Sequence, residues 1–131
     1  KGAGTVKQTE EALRCLGQYL GLDSTRPDNE HGTGPDILWL CEGVALVLEA
    51  KTDKEAAYKK DDVGQLSDHI QWVENNYEGN EKIPVFVGPL NGPTDKANPS
   101  EDVLVIELSE FKELGDKLIA AYKDIANRAI L

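Results

Sequence analysis

The chain has 131 residues, of which 40 % are apolar and 29 % charged. That composition excludes a disordered polymer and suits one globular domain over residues 1–131. With 14 basic against 24 acidic side chains the net charge is −10. A surface that grips nucleic acid by overall charge is thereby excluded, and any such function must come from a local site.

The spacing predicts a first helix from Thr5 to Leu20. Thr5 and Gln8 form an S/T-x-x-Q capping box, and Val6, Leu13, Leu16 and Leu20 recur at helical spacing, widened by Ala12 and Tyr19. Gly21 suits a left-handed stop. Asp23 to Pro35 is polar and reads as a loop with room for a short edge strand. Asp36 to Cys41 and Val44 to Lys51 are strands, and Glu42-Gly43 between them signals a hairpin. The second strand is apolar on both faces until Glu49, the mark of a central strand covered on each side by helices. Asp61 to Tyr77 is the next helix, with Val63, Leu66, Ile70, Val73 and Tyr77 stepping by three and four. Ile83 to Val87 is a strand, Gly88 to Glu101 a Gly/Pro-rich surface loop, and Val103 to Leu108 a further strand. Ser109 can cap a last helix striped by Phe111, Leu114, Leu118, Tyr122 and Ile125. Helices alternating with strands predict an α/β three-layer sandwich, a mixed central β-sheet flanked by helices.

No apolar run approaches the ~18 residues of a membrane span, and no signal peptide is visible. The chain begins at Lys1 and contains no Met, so it reads as a domain excised from a longer protein. Cys15 and Cys41 make no disulfide framework. They read as two reduced, buried thiols in a cytoplasmic protein.

Chemistry concentrates at the end of the central strand. Glu49 and Lys51 stand at i and i+2 and leave the same face. A plain strand exit with a surface ion pair accounts for them alone. Asp36, however, begins the neighbouring strand, and a hairpin turning at Glu42-Gly43 brings it beside Glu49. Two carboxylates converging within a few ångströms repel unless a cation lies between them. Such oxygen ligands suit Mg²⁺, or equally Mn²⁺, with Lys51 beside the ion.

Pro35-Asp36, twelve intervening residues, and then Glu49-Ala50-Lys51 resemble the motif of the PD-(D/E)XK nuclease superfamily, the restriction-endonuclease-like fold. The order of first helix, hairpin, second helix and next strand is also that family's, as is the place of Gln65 on the helix after the motif. The resemblance implies a Mg²⁺-dependent deoxyribonuclease with Asp36 and Glu49 on the metal, helped by the Ala50 carbonyl. It implies Lys51 at the attacking water or the phosphate, and Gln65 at the metal shell or that water. Many members add a Glu from the first helix. Here Glu10 lies nearer the apolar stripe than Glu11 and is chosen, two solvated acids being the other reading. Arg26-Pro27-Asp28 followed by Gly32-Thr33-Gly34-Pro35-Asp36 resembles nuclease modules appended to bacterial helicases, which implies DNA as substrate and the rest of a parent protein as partner.

His69 stands one turn after Gln65 and can line the cleft or pack beside it. His31 falls in the loop before Asp36. Arg26, Lys54, Lys59 and Lys60 border the expected cleft, either as a small phosphate-contacting island or as solvated loop charges. No Cys/His spacing suggests zinc, and no P-loop is present. The −10 charge supports a second reading, a nuclease-fold module that only binds nucleic acid or a protein partner.

Overall fold

The computed structural model describes residues 3–51, 60–88 and 103–128. In chain order these form α1 (Ala3–Tyr19), β1 (Asp23–Thr25), α2 (Pro27–His31), β2 (Ile37–Cys41), β3 (Val44–Ala50), α3 (Lys60–Asn76), β4 (Glu81–Val87), β5 (Leu104–Ile106) and α4 (Leu108–Arg128). The strands make one open mixed sheet in the order β1-β2-β3-β4-β5. β1–β2 and β2–β3 are antiparallel, β3–β4 and β4–β5 parallel. The predicted hairpin is present: Cys41 pairs with Val44 across a turn in which Gly43 takes φ +77°, a conformation glycine adopts without strain.

β3 is the middle strand, as its two apolar faces require. On one face Leu48 and Ala50 join Ile37, Trp39, Val85, Val87, Leu13 of α1 and Phe111 of α4. On the other, Ala45 and Val47 join Leu38, Phe86 and Leu66 and Val73 of α3. Helices thus cover both faces. Pro84 is tolerated in β4 because its missing N–H would point toward β5, and that ladder begins only at Val85↔Leu104.

Several boundaries differ from the sequence reading. α1 extends back to Ala3, so Thr5 lies inside its first turn rather than capping it. The 23–35 segment holds both a strand and a short helix, where Arg26-Pro27 supplies a proline at the helix start. α4 begins at Leu108, so Ser109 is within it. Most of the 88–101 loop lies outside the described residues. The cysteines are unpaired, but only Cys15 is partly buried and Cys41 is exposed, since the turn at the hairpin tip carries it into solvent.

The predicted stripe of α4 is buried only at Phe111. Leu114, Ile119, Tyr122 and Ile125 are exposed, as is Tyr19 of α1. An apolar groove of about 750 Å³ runs between the two helices, lined by Leu16, Phe111, Leu118 and Ile119 among others. At the C-terminal end of α1 the Tyr122 hydroxyl of α4 donates to the Tyr19 carbonyl.

α1 lies close on β1 and β2. The Trp39 indole N–H donates to the Leu13 carbonyl at 3.2 Å, and the closest approach is at Gly17. A Cβ there would meet Trp39 Nε1 at 2.4 Å and Ser24 Oγ at 2.7 Å. Alanine in a helix normally gains ~1 kcal/mol over glycine. In Gly17→Ala overpacking reverses the sign, and a net loss of ~1–2 kcal/mol is expected in urea unfolding. A stabilised variant would contradict this close packing.

Candidate functional site

The β2–β3 register makes the site. Ile37 pairs with Leu48, so one step further Asp36 stands opposite Glu49. β3 outruns β2 here, and its Ala50 amide has no carbonyl partner on that side. Asp36 supplies one: its Oδ2 accepts from Ala50 N at 3.0 Å. Lys51 N donates to the Val87 carbonyl on the opposite edge. By the alternation of backbone groups along a strand, the Ala50 carbonyl leaves on the same side as its amide, toward Asp36.

Asp36 is held from behind. Gly34 adopts φ +99°, and a Cβ there would meet both Pro27 Cβ and the Trp72 ring at 2.9 Å. Asp28 N also donates to the Pro35 carbonyl at 3.1 Å. The 34–36 segment is therefore clamped between α2 and α3. His31 stacks on Trp72 at 6.5 Å between ring centroids, so it packs beside the site without reaching it.

Glu49 continues the alternation of Ala45 and Val47 and faces α3. It is 2 % exposed, and a charge that deep is costly unless partnered. Its partners are Asp36 and His69, whose Nδ1 contacts Glu49 Oε1. Lys51, next on that face, donates from Nζ to Gln65 Oε1 at 3.1 Å. Four residues singled out from the sequence, Asp36, Glu49, Lys51 and Gln65, thus come together on the α3 side of one strand end.

Asp36 is strongly perturbed. Burial first, then the charge of Glu49 and a hydrogen bond with it, push Asp36 up to about 7, against the pull of the Ala50 amide and Lys51. The hydrogen bond to Glu49 raises the His69 pKa despite partial burial. Near neutrality Asp36 is therefore only partly ionised.

Glu10 is raised by burial and then by the charge of Asp36, so it lies within electrostatic reach of that carboxylate. Its Oε1 accepts from Arg26 Nη2 at 2.9 Å. Glu11 turns outward, where the Arg14 hydrogen bond above all holds it down to about 2, against the pull of burial and with help from Arg26. Arg26 is 8 % exposed and also reaches Glu11 Oε1 at 3.2 Å. Read from the sequence as a cleft-border cation, it is instead a buried tie between α1 and the start of α2, its charge engaged by carboxylates. Lys54 and Lys59 lie outside the described residues, and Lys60 begins α3.

The donor set at the strand end is two carboxylates and a carbonyl. Among the described residues no group of three His, Cys, Asp or Glu side chains is disposed to hold an ion. Two carboxylates with several retained waters are a common Mg²⁺ set. Two features escaped the sequence reading: the Arg26 tie and the Trp72 clamp. A helical ridge of Gln65, His69 and Trp72 at i, i+4 and i+7 was the signal for the second; nothing local marks the first. No helix among the described residues is long and apolar enough to cross a membrane. Comparison with family models, curated proteins and solved structures finds no match for this chain.

Proposed function

We propose that the chain is a metal-dependent nuclease of the PD-(D/E)XK kind, hydrolysing DNA phosphodiester bonds in a restriction-endonuclease-like domain of a cytoplasmic protein. The observation that carries this reading is the register-enforced meeting of Asp36 with Glu49, and Lys51 two residues on along the same face. Two converging carboxylates, with Asp36 pushed up by burial and by the charge of Glu49, fit a divalent ion. Asp36, Glu49 and the Ala50 carbonyl would hold Mg²⁺ or Mn²⁺, with Glu10 bordering Asp36.

Bound there, such an ion supplies an acidified water and neutralises charge on the phosphoryl oxygens. Lys51 puts a positive charge where negative charge develops on the phosphate, and Gln65 fixes the direction of its ammonium. The acidic surface does not forbid this chemistry, because repulsion between exposed charges is screened beyond ~8 Å in physiological salt. It does weaken retention of DNA by the chain alone, which is the role a larger parent protein, such as a helicase, would fill.

The test is cleavage of single-stranded and duplex DNA with Mg²⁺ or Mn²⁺. Cleavage that EDTA abolishes, and that Asp36→Ala removes, is the expected result. Metal-independent binding without cleavage under either ion would favour the second reading supported by the −10 charge, a module that binds nucleic acid or a partner.

A further inference from the structure

α3 and β3 meet in step. β3 and β4 are parallel neighbours with α3 between them in the chain, so the helix returns antiparallel to the strand. Lys51 meets Gln65, Glu49 meets His69, and Val47 shares an apolar cluster with Val73. Two residues along a strand advance ~6.6 Å, and four along a helix ~6 Å. The near-equal rises keep successive contacts aligned, so the helix lays one polar side chain on each of the two charged strand residues. His69 therefore stands to Glu49 as Gln65 stands to Lys51.

We propose that His69 is a positioning residue for Glu49, an inference that rests on the metal-dependent reading of the site. A Glu49 carboxylate that ligates a cation can only accept, so the tautomer with its hydrogen on Nδ1 is the one that donates to Oε1. Glu49 is almost wholly enclosed, and this donor removes one of its oxygens from competition. The other oxygen is left to the divalent ion. Partners that orient metal-ligating side chains in this way typically contribute 10–100-fold to metal affinity.

The test is Mn²⁺ binding by titration calorimetry to the wild-type chain, His69→Leu and His69→Asn, with no nucleic acid present. The Leu variant fills the space without a donor, and its affinity is expected to fall ~10–100-fold. The Asn amide nitrogen falls where Nδ1 lies and is expected to restore most of that loss. If His69→Leu does not fold, His69→Gln, whose amide reaches past that position, replaces it with the same expectation. Wild-type affinity in the Leu variant, or an Asn variant as weak as Leu, overturns the positioning role while leaving the metal site standing. A wild-type chain that binds no Mn²⁺ removes the metal reading itself, and this inference with it.

Discussion

Lys51→Ala is expected to lower metal-dependent DNA cleavage by ~10²–10³-fold, the usual effect of removing one charge-stabilising donor from a transition state. The ammonium is the cation that the strand sets beside the Asp36–Glu49 pair. Gln65 Oε1 accepts from it at 3.1 Å, so its direction is fixed before substrate arrives. Single-turnover rates at saturating Mn²⁺ are the measurement, because they separate chemistry from weak DNA binding. Lys51→Arg is expected to recover little. A planar guanidinium with fixed donors does not reproduce a compact ammonium that bonds the Gln65 amide oxygen. Lys51 is partly exposed at the strand exit, so unfolding should shift by less than ~0.5 kcal/mol in the alanine variant. An alanine variant that cleaves within a few-fold of wild type would remove Lys51 from the reaction.

The parts of this site that were legible in the sequence are those fixed by short-range rules. A two-residue turn at Glu42-Gly43 sets the β2–β3 register, and a strand period of two then decides that Asp36, Glu49 and Lys51 share a face. A helix period of 3.6 puts Gln65 and His69 on one edge of α3. Only the pairing of that edge with the strand needed the fold. Arg26 was misread as a solvated or phosphate-facing charge because its partners, Glu10 and Glu11, come from α1, sixteen and fifteen residues away in sequence. Polar residues in a Pro/Gly-rich stretch look like solvent-facing loop until the partner element is known. The α4 stripe failed for the opposite reason. Amphipathic spacing says which face of a helix is apolar, not that a sheet lies beneath all of it, and beyond Phe111 the described sheet does not follow. The proposed nuclease chemistry rests on the residue pattern of the site itself, for which the fold supplies the proximity.

Without metal, the chain is expected to lose stability as pH rises from about 4 to 8. Asp36 ordinarily titrates near 3.8 and is raised to about 7 in the folded protein. The folded state then binds more protons than the unfolded state throughout that window. Unfolding free energy falls with pH when the native state holds the extra proton. The contribution is fully present below the ordinary aspartate range and lost once pH passes the raised value. His69, also raised, works in the same direction. For Asp36 the full span is worth up to about 4 kcal/mol, less whatever water at the site rim screens. Asp36→Asn isolates the effect. It keeps an oxygen for the Ala50 amide and mimics the protonated acid, so wild type and variant should be equally stable near pH 4. At pH 8 the variant should be the more stable by a few kcal/mol, because it buries no charge and sets none against Glu49. Adding millimolar Mg²⁺ should raise the wild type at pH 8 by mass action and leave Asp36→Asn nearly unchanged. Urea unfolding at pH 4, 6 and 8, with and without Mg²⁺, reads all of these outcomes. Two proteins whose stabilities run parallel across that range would mean that the two carboxylates do not repel, and the electrostatic basis for a cation between them would be gone.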